Sequence, residues 1–304
     1  MKTTHLTPLL LCLCIGLAHA DTPIHLSHAA TATAHIDISN VAGSVHVTAW
    51  DRPLVQVEGR LGDGAKPLAI TGSDGDLTIK VQAAAGGGWF NWGSSSHMGD
   101  TLLDLHVPRG ASLNVHLVSA PLIVDGLAGG KISVNTVSGR VRINANAPTL
   151  DIDSVSGNIE LAGHADAANL QTVSGDILAP VLGAQAKLQT ISGHIQASGG
   201  PWQAFTLSTV SGDVQVSGGV LPSGQLAIDS MSGNVQLQLP ANTSAALHAS
   251  SFSGDLRSDS GTAQRASHGP GSKLDATLGS GSGSGSGTIK LETFSGDLRI
   301  HSAH

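Results

Sequence analysis

Apolar and polar residues alternate in short runs along this chain, and the runs recur. Between Lys131 and Val216 one phrase, Thr/Ser-apolar-Ser-Gly, keeps returning. With its serine set as position zero, four residues earlier stand Val134, Ile152, Leu170, Leu188, Leu207, Ile228, Ala249 and Leu291. Six earlier stand Ile132, Leu150, Ala168, Ala186, Phe205, Leu226, Leu247 and Ile289, and three later Val141, Ile159, Ile177, Ile195, Val214, Val235, Leu256 and Leu298. Apolar residues two apart on each side of the phrase predict two short strands per repeat, each with one face inward. The apolar parity is even before the phrase and odd after it, so the phrase itself predicts a corner, with its glycine supplying a backbone conformation that other residues resist.

The corners are Ser138-Gly139, Ser156-Gly157, Ser174-Gly175, Ser192-Gly193, Ser211-Gly212, Ser232-Gly233, Ser253-Gly254 and Ser295-Gly296. Their serines are spaced 18, 18, 18, 19, 21, 21 and 42 residues apart, the last being twice 21. A period near 20 marks a stacked-repeat architecture, in which one coil cannot bury its apolar face alone and neighbouring coils share it. The expected fold is all-β, a single-stranded right-handed β-solenoid of about ten coils with an 18–21 residue repeat, a rod of about 50 Å. Along it the threonine or serine two before each motif serine should form a ladder of hydroxyls.

Two worn copies lie upstream: Ile36, Ile38, Val41, Ala42-Gly43, Val45 and Val47, with Ala42 in the serine slot, and Leu113, Val115, Val118, Ser119-Ala120, Leu122 and Val124. Between them the β pattern is irregular. Ser44–Trp50 and Leu54–Leu61 flank Asp51-Arg52-Pro53 as a predicted hairpin, and Leu68–Thr71 and Leu77–Val81 flank Gly72–Asp76 as a second. Leu102–Val107 reads as one more strand. The division this suggests is 21–110, an irregular N-terminal β region with the first worn repeat, and 111–304, the repeats proper. Gly279–Gly287 alternates glycine and serine and predicts a flexible loop bulging from the last turns; Thr288–Ile300 then re-enters the sheet.

Residues 1–20 read as a cleaved signal peptide: a positive start at Lys2, an apolar run Leu6–Leu17 and a small-x-small site at Ala18-His19-Ala20. Both cysteines, Cys12 and Cys14, fall inside it. No later stretch reaches 18 uninterrupted apolar residues, so no transmembrane segment is expected in the mature chain. Export places the protein in the periplasm or at the cell surface. The net charge of −7 argues against nucleic acid as a partner, which would need a Lys/Arg-rich face.

The repeated T-V-S-G-D/N-I/V phrase, Gly43-Ser44-Val45-His46-Val47 leading into Trp50-Asp51-Arg52, and the closing Leu291-Glu292-Thr293-Phe294-Ser295-Gly296-Asp297-Leu298 resemble the bacterial putative-adhesin family of β-strand-repeat proteins, a domain of unknown function. The resemblance covers nearly all of residues 30–304. It implies a β-solenoid exported to the cell envelope and brings no catalytic residues. The Gly-Ser tract and a Trp-Phe-Asn-Trp loop depart from it.

Candidate chemistry is sparse. The motif serines sit in equivalent slots, none in a G-x-S-x-G elbow and none at a constant offset from a histidine, so they read as structural rather than nucleophilic. The residue after each motif glycine is Arg140, Asn158, Asp176, His194, Asp213, Asn234, Asp255 or Asp297. Such a row could bind calcium along a stack, but the glycine-rich nonapeptide is absent and Arg140 and His194 interrupt it, so these read as polar residues facing water. Thirteen mature-chain histidines are scattered without a ligand spacing, His35 and His46 being the pair that could approach across neighbouring strands, and no metal or cofactor is expected. Asp151 with Asp153, and Asp176 with Asp213, could serve a carbohydrate-active β-helix enzyme, but aromatic sugar platforms are missing along the repeat. Trp89, Phe90 and Trp92, flanked by glycines, are the candidate binding residues: either an exposed anchor for a partner or a lid over an open solenoid end.

The expected function is a non-enzymatic binding or structural module of the envelope, its partner an envelope protein or a surface glycan. The alternatives are a periplasmic envelope-stress or scaffold component bound to a membrane protein, and a carbohydrate-active β-helix enzyme.

Overall fold

The computed structural model describes residues 22–83, 99–265, 270–279 and 286–303. These contain no helix, and their 24 strands join one sheet. The signal-peptide segment and Ser280–Gly285, most of the Gly-Ser tract, lie outside the described residues.

Repeats pair in parallel and in register. Before the corner, Ile152 lies between Val134 and Leu170, and Leu188 between Leu170 and Leu207. After it, Ile159 lies between Val141 and Ile177, and Ile195 between Ile177 and Val214. The sheet therefore turns at each corner and closes around one core made of the predicted apolar columns, all of them buried. The worn copies share this register: Ile36, Leu113 and Ile132 are neighbours, as are Ala42, Ser119 and Ser138.

The hydroxyl column also turns inward, but it forms no mutual ladder. Ser154 accepts a bond from the Gly157 N–H (2.9 Å), while Thr172 and Thr190 donate to the carbonyls of Gly157 and Gly175, each at 3.4 Å. Strand spacing holds equivalent hydroxyls about 4.8 Å apart, too far for a bond, so each turns to the corner backbone beside it. Thr209, Ser230 and Thr293 bury their hydroxyls without a partner.

Motif glycines are required by space as much as by conformation. Gly139 has φ 127°, yet Gly157, Gly175 and Gly193 have no positive φ. A Cβ on Gly175 would lie 2.3 Å from the Gly157 carbonyl oxygen, and one on Gly193 would lie 2.1 Å from that of Gly175. Each corner rests directly on the one below.

Stacking order departs from chain order at both ends. The last strands, Gly287–Ser295 and Leu298–Ser302, insert between Val220–Leu239 and Ala245–Ser258, so that Leu291 lies between Ile228 and Ala249. The expected simple closure of the chain at its end is thus replaced by an interior position. At the other end, Asp76–Lys80 and Thr101–Pro108 pair outside His35–Trp50. The hairpin expected across Asp51–Pro53 does not form, because Thr101–Pro108 sits between the two arms and takes the antiparallel pairing with Leu54–Leu61. The hairpin of Ile70–Ser73 with Asp76–Lys80 does form.

Antiparallel strands cover both ends of the stack. Ile70–Ser73 lies on Asp76–Lys80, Leu54–Leu61 on Thr101–Pro108, and Thr22–Ala29 on Leu54–Leu61. Ser272–Leu278 lies antiparallel on Ala245–Ser253. The parallel stack's own edges are in this way paired, and the sheet edge passes to the short covering strands Thr22–Ala29 and Ile70–Ser73.

Candidate functional site

The alternation that buries positions −6, −4 and −2 turns −3 and −1 to the outside of the same strand. Position −1 is nevertheless apolar in every copy. In stacking order the column reads Val41, Val118, Val137, Val155, Val173, Ile191, Val210, Met231, Phe294 and Phe252, all exposed, with Ile191 at 51% and Met231 at 58%. Neighbours in it stand one strand spacing apart, about 4.8 Å. The aromatic end is a stacked pair, Phe252 on Phe294.

Position −3 runs beside it and is polar throughout. Lys80 pairs with Ser39 at one end, then come His116, Asn135, Asp153, Gln171, Gln189, Ser208, Asp229, Glu292 and Ser250, and Lys273 pairs with Ser250 at the other end. Between the two columns lies a trench with one aliphatic and one polar wall. Its larger part, about 1010 Å³, runs from Asp153 to Lys273 and is closed by Pro270, Gly271 and Ser272. A second part of about 440 Å³ runs from Lys80 to Val155, and Asp153 and Ser154 line both. This column is the functional feature that the strand-and-corner reading passed over. Its signal was present: a large apolar residue at a slot whose parity points to water.

The other candidates take different places. Ser138 and Ser156 donate their hydroxyls to the carbonyls of Val118 (3.2 Å) and Val137 (3.3 Å), tying one corner to the next. Among the described residues no hydrogen bond joins a motif serine to a histidine. The Asp/Asn row is occupied by backbone: Asn158 accepts from the Asp176 N–H (3.1 Å), Asp176 from the His194 N–H (2.9 Å), and Asp213 from the Asn234 N–H (3.0 Å). The row then passes through Asp297 to Asp255, following the inserted order. The carboxylates cap successive corners rather than only facing water, because each corner leaves one N–H that the ladder does not use.

Asp151 reaches Lys131 at 3.0 Å, whereas Asp153 lines the trench, so the two acids are not a working pair. His35 and His46 lie on one strand, His35–Trp50, and do not approach across strands; His46 contacts Asp125 at 3.2 Å and His35 lies 3.8 Å from Asp37. No group of three His, Cys, Asp or Glu side chains converges on a point among the described residues. The resolved pKa perturbation is Asp51, held below the ordinary carboxylate range by hydrogen bonds from Arg109 (2.8 and 3.1 Å) and by its charge. Trp89, Phe90 and Trp92 lie outside the described residues. On either side of them the described residues stop at Ala83, bridged to Ala65, and resume at Gly99, whose N–H donates to the Asp63 carbonyl.

Residues 33–301 match the model of the family described as Toastrack DUF4097. The chain belongs to this family. Toastrack is a domain of unknown function with a β-solenoid-like fold, in keeping with the resemblance drawn from the repeats. No curated protein matches the chain. Among solved structures it is similar to a putative lipid binding protein from Parabacteroides distasonis ATCC 8503, at 13% identity over 91% of this chain and 96% of that one, with a TM-score of 0.53. It is also similar to a putative adhesin from Parabacteroides merdae ATCC 43184, at 12% identity over 92% and 99%, with a TM-score of 0.50. A putative adhesin (BF0245) from Bacteroides fragilis NCTC 9343 follows at 15% identity, 93% and 98% coverage and a TM-score of 0.42. At these identities the first two likenesses show the fold alone and carry no ligand across. No helix among the described residues is long and apolar enough to cross a membrane.

Proposed function

We propose that this Toastrack protein is an exported, non-enzymatic binding module of the cell envelope whose working surface is the trench. The observation behind this reading is the column from Val41 to Phe252. Scattered exposed valines need no explanation, but a contiguous apolar stripe rimmed by polar side chains marks a surface that meets a partner. The scaffold is read as a right-handed solenoid of about ten coils. Its eight Ser-Gly corners are structural: their hydroxyls and Cα atoms bind coil to coil. Trp89, Phe90 and Trp92 are a second contact. Residues 21–110 supply the covered end and 111–304 the body of the binding surface.

A triple variant, Val173→Asp/Ile191→Asp/Val210→Asp, tests this. All three side chains are more than two-fifths exposed, so the fold should persist, checked by circular dichroism and melting temperature. Wild-type protein should co-sediment with isolated bacterial envelopes and the variant should remain in the supernatant. Equal sedimentation of both would overturn the reading.

A further inference from the structure

We propose that the larger part of the trench holds one extended hydrocarbon chain of an anionic lipid, laid along the stack axis with its acidic head at Lys273. The inference rests on the trench being the binding surface and names what fills it.

Width is the first argument. The two walls are residues two apart on one strand, so their Cα atoms stand about 6.6 Å apart. Two carbon contacts of about 3.5–4.0 Å each need about 7–8 Å, so a single file of methylenes rides just above the Cα level and nothing as wide as a helix enters. Length is the second. From Lys273 to Val155 is seven strand steps, about 34 Å. A bilayer's hydrocarbon core, two acyl chains deep, is about 30 Å, so a chain of membrane length fits within the trench with room beyond its end.

Lining chemistry selects hydrocarbon over polymer. The wall is Val173, Ile191, Val210 and Met231, ending in the Phe294–Phe252 stack; Met231 adds a side chain that adapts to irregular chains. The floor strands spend their N–H and C=O groups on parallel neighbours at both sides. A peptide or glycan laid there could pair polar groups only along the Gln171, Gln189 and Ser208 wall, and those turned to the valines would stay unpaired. A methylene chain has nothing to satisfy.

Charge sets the direction. Lys273 is exposed at the last position of the polar wall, and among the described residues no carboxylate lies within ion-pair distance of it. Farther along the same wall stand Asp229 and Asp153, which repel an acidic head from the interior, and Glu292, which is already paired with Lys290 at 3.1 Å; the lysine end is left to receive the head. The smaller part of the trench ends in Lys80 in the same manner but offers less than half the volume.

Isothermal titration of the protein with palmitate, and with cetyltrimethylammonium as the same chain under the opposite charge, separates the possibilities when both are kept below their micellar concentrations. Palmitate should bind one to one. Lys273→Glu should weaken palmitate about tenfold and strengthen the cation, while Val210→Asp should abolish both; Val210→Ser serves if the aspartate disturbs folding. Absence of palmitate binding overturns the proposal, as does binding indifferent to both substitutions. If palmitate fails while the triple aspartate variant still loses the envelope, the trench remains the binding surface and only the lipid is wrong. If the envelope is retained by that variant, the surface itself is wrong.

Discussion

Phe294 stacks on Phe252 with ring centroids 4.8 Å apart and planes 7° from parallel, although the segment from Ser253 to Thr293 separates them in the chain. They meet because the last repeat stacks directly on Ala245–Ser253. The insertion itself is marked on the other side of that repeat, where Glu292 pairs with Asp229 as well as with Ser250.

A double-mutant cycle on Phe252→Ala and Phe294→Ala should therefore give a coupling of about 0.5–1 kcal/mol in urea unfolding. Zero coupling would mean that the two copies are not neighbours in solution.

Leu291 is buried at 1% between Ile228 and Ala249, and Leu291→Ala should cost about 2–5 kcal/mol. The damage should be local, as expected of a stack held by nearest neighbours. Hydrogen exchange should rise in both Val220–Ser232 and Ala245–Ser253 while Ile152 and Leu170 keep their protection. Unchanged protection of Val220–Ser232 would contradict the insertion.

Gly175 and Gly75 separate space from conformation. At Gly175 an added methyl meets the Gly157 carbonyl at 2.3 Å, whereas at Gly75 nothing lies within 4 Å and φ is not positive. Gly175→Ala should destabilise by about 1–3 kcal/mol. Gly75→Ala should be neutral or stabilise by up to about 1 kcal/mol, through the unfolded chain. Both are read from melting curves.

Asp176 caps the His194 N–H with Oδ1, a role asparagine can fill and alanine cannot. Asp176→Ala should lose about 1 kcal/mol and Asp176→Asn much less. Calcium should shift neither melting temperature; a calcium-dependent rise lost in both variants would restore the metal reading of the row.

The Asp51–Arg109 pair predicts a specific acid response. Arg109 depresses the Asp51 pKa by hydrogen bonding and then by charge, so the native state binds fewer protons there than the unfolded chain. The contribution is present above the unfolded aspartate value, about 3.9, and disappears as pH falls through the lower native value. Arg109→Gln should lower stability at pH 7 in low salt, and the two proteins should converge as pH falls below the lowered native value. A difference unchanged at that pH would assign the effect to the Arg109 bond with the Gly126 carbonyl instead.

Much of the fold was legible because one column repeats one requirement. Ile152, Leu170 and Leu188 are apolar at a constant interval, and a buried parallel ladder is the arrangement that makes them neighbours. What periodicity cannot encode is order. Ile228 accepts Leu291 on its ladder as readily as it would accept Ala249, since every copy presents the same register. The turn at Asp51–Pro53 misled for a related reason: it reverses the chain locally, but the partner of Leu54–Leu61 is Thr101–Pro108, chosen by distant pairing. The trench was missed because Val173 and Ile191 were read as part of a corner. Their parity, opposed to that of Leu170 and Leu188, already placed them in water.

Synthesis runs from the first residue to the last, while the stack does not. Until Thr288–Ser302 has emerged from the ribosome, the ladder edges at Ile228 and Ala249 lack the strand that fills the slot between them in the finished stack. The slot reads register and nothing else, so the closing strand of a second copy fits it as well as the chain's own. At high concentration during refolding, exchange of this final segment between molecules competes with closure, and it would yield dimers that keep every ladder intact.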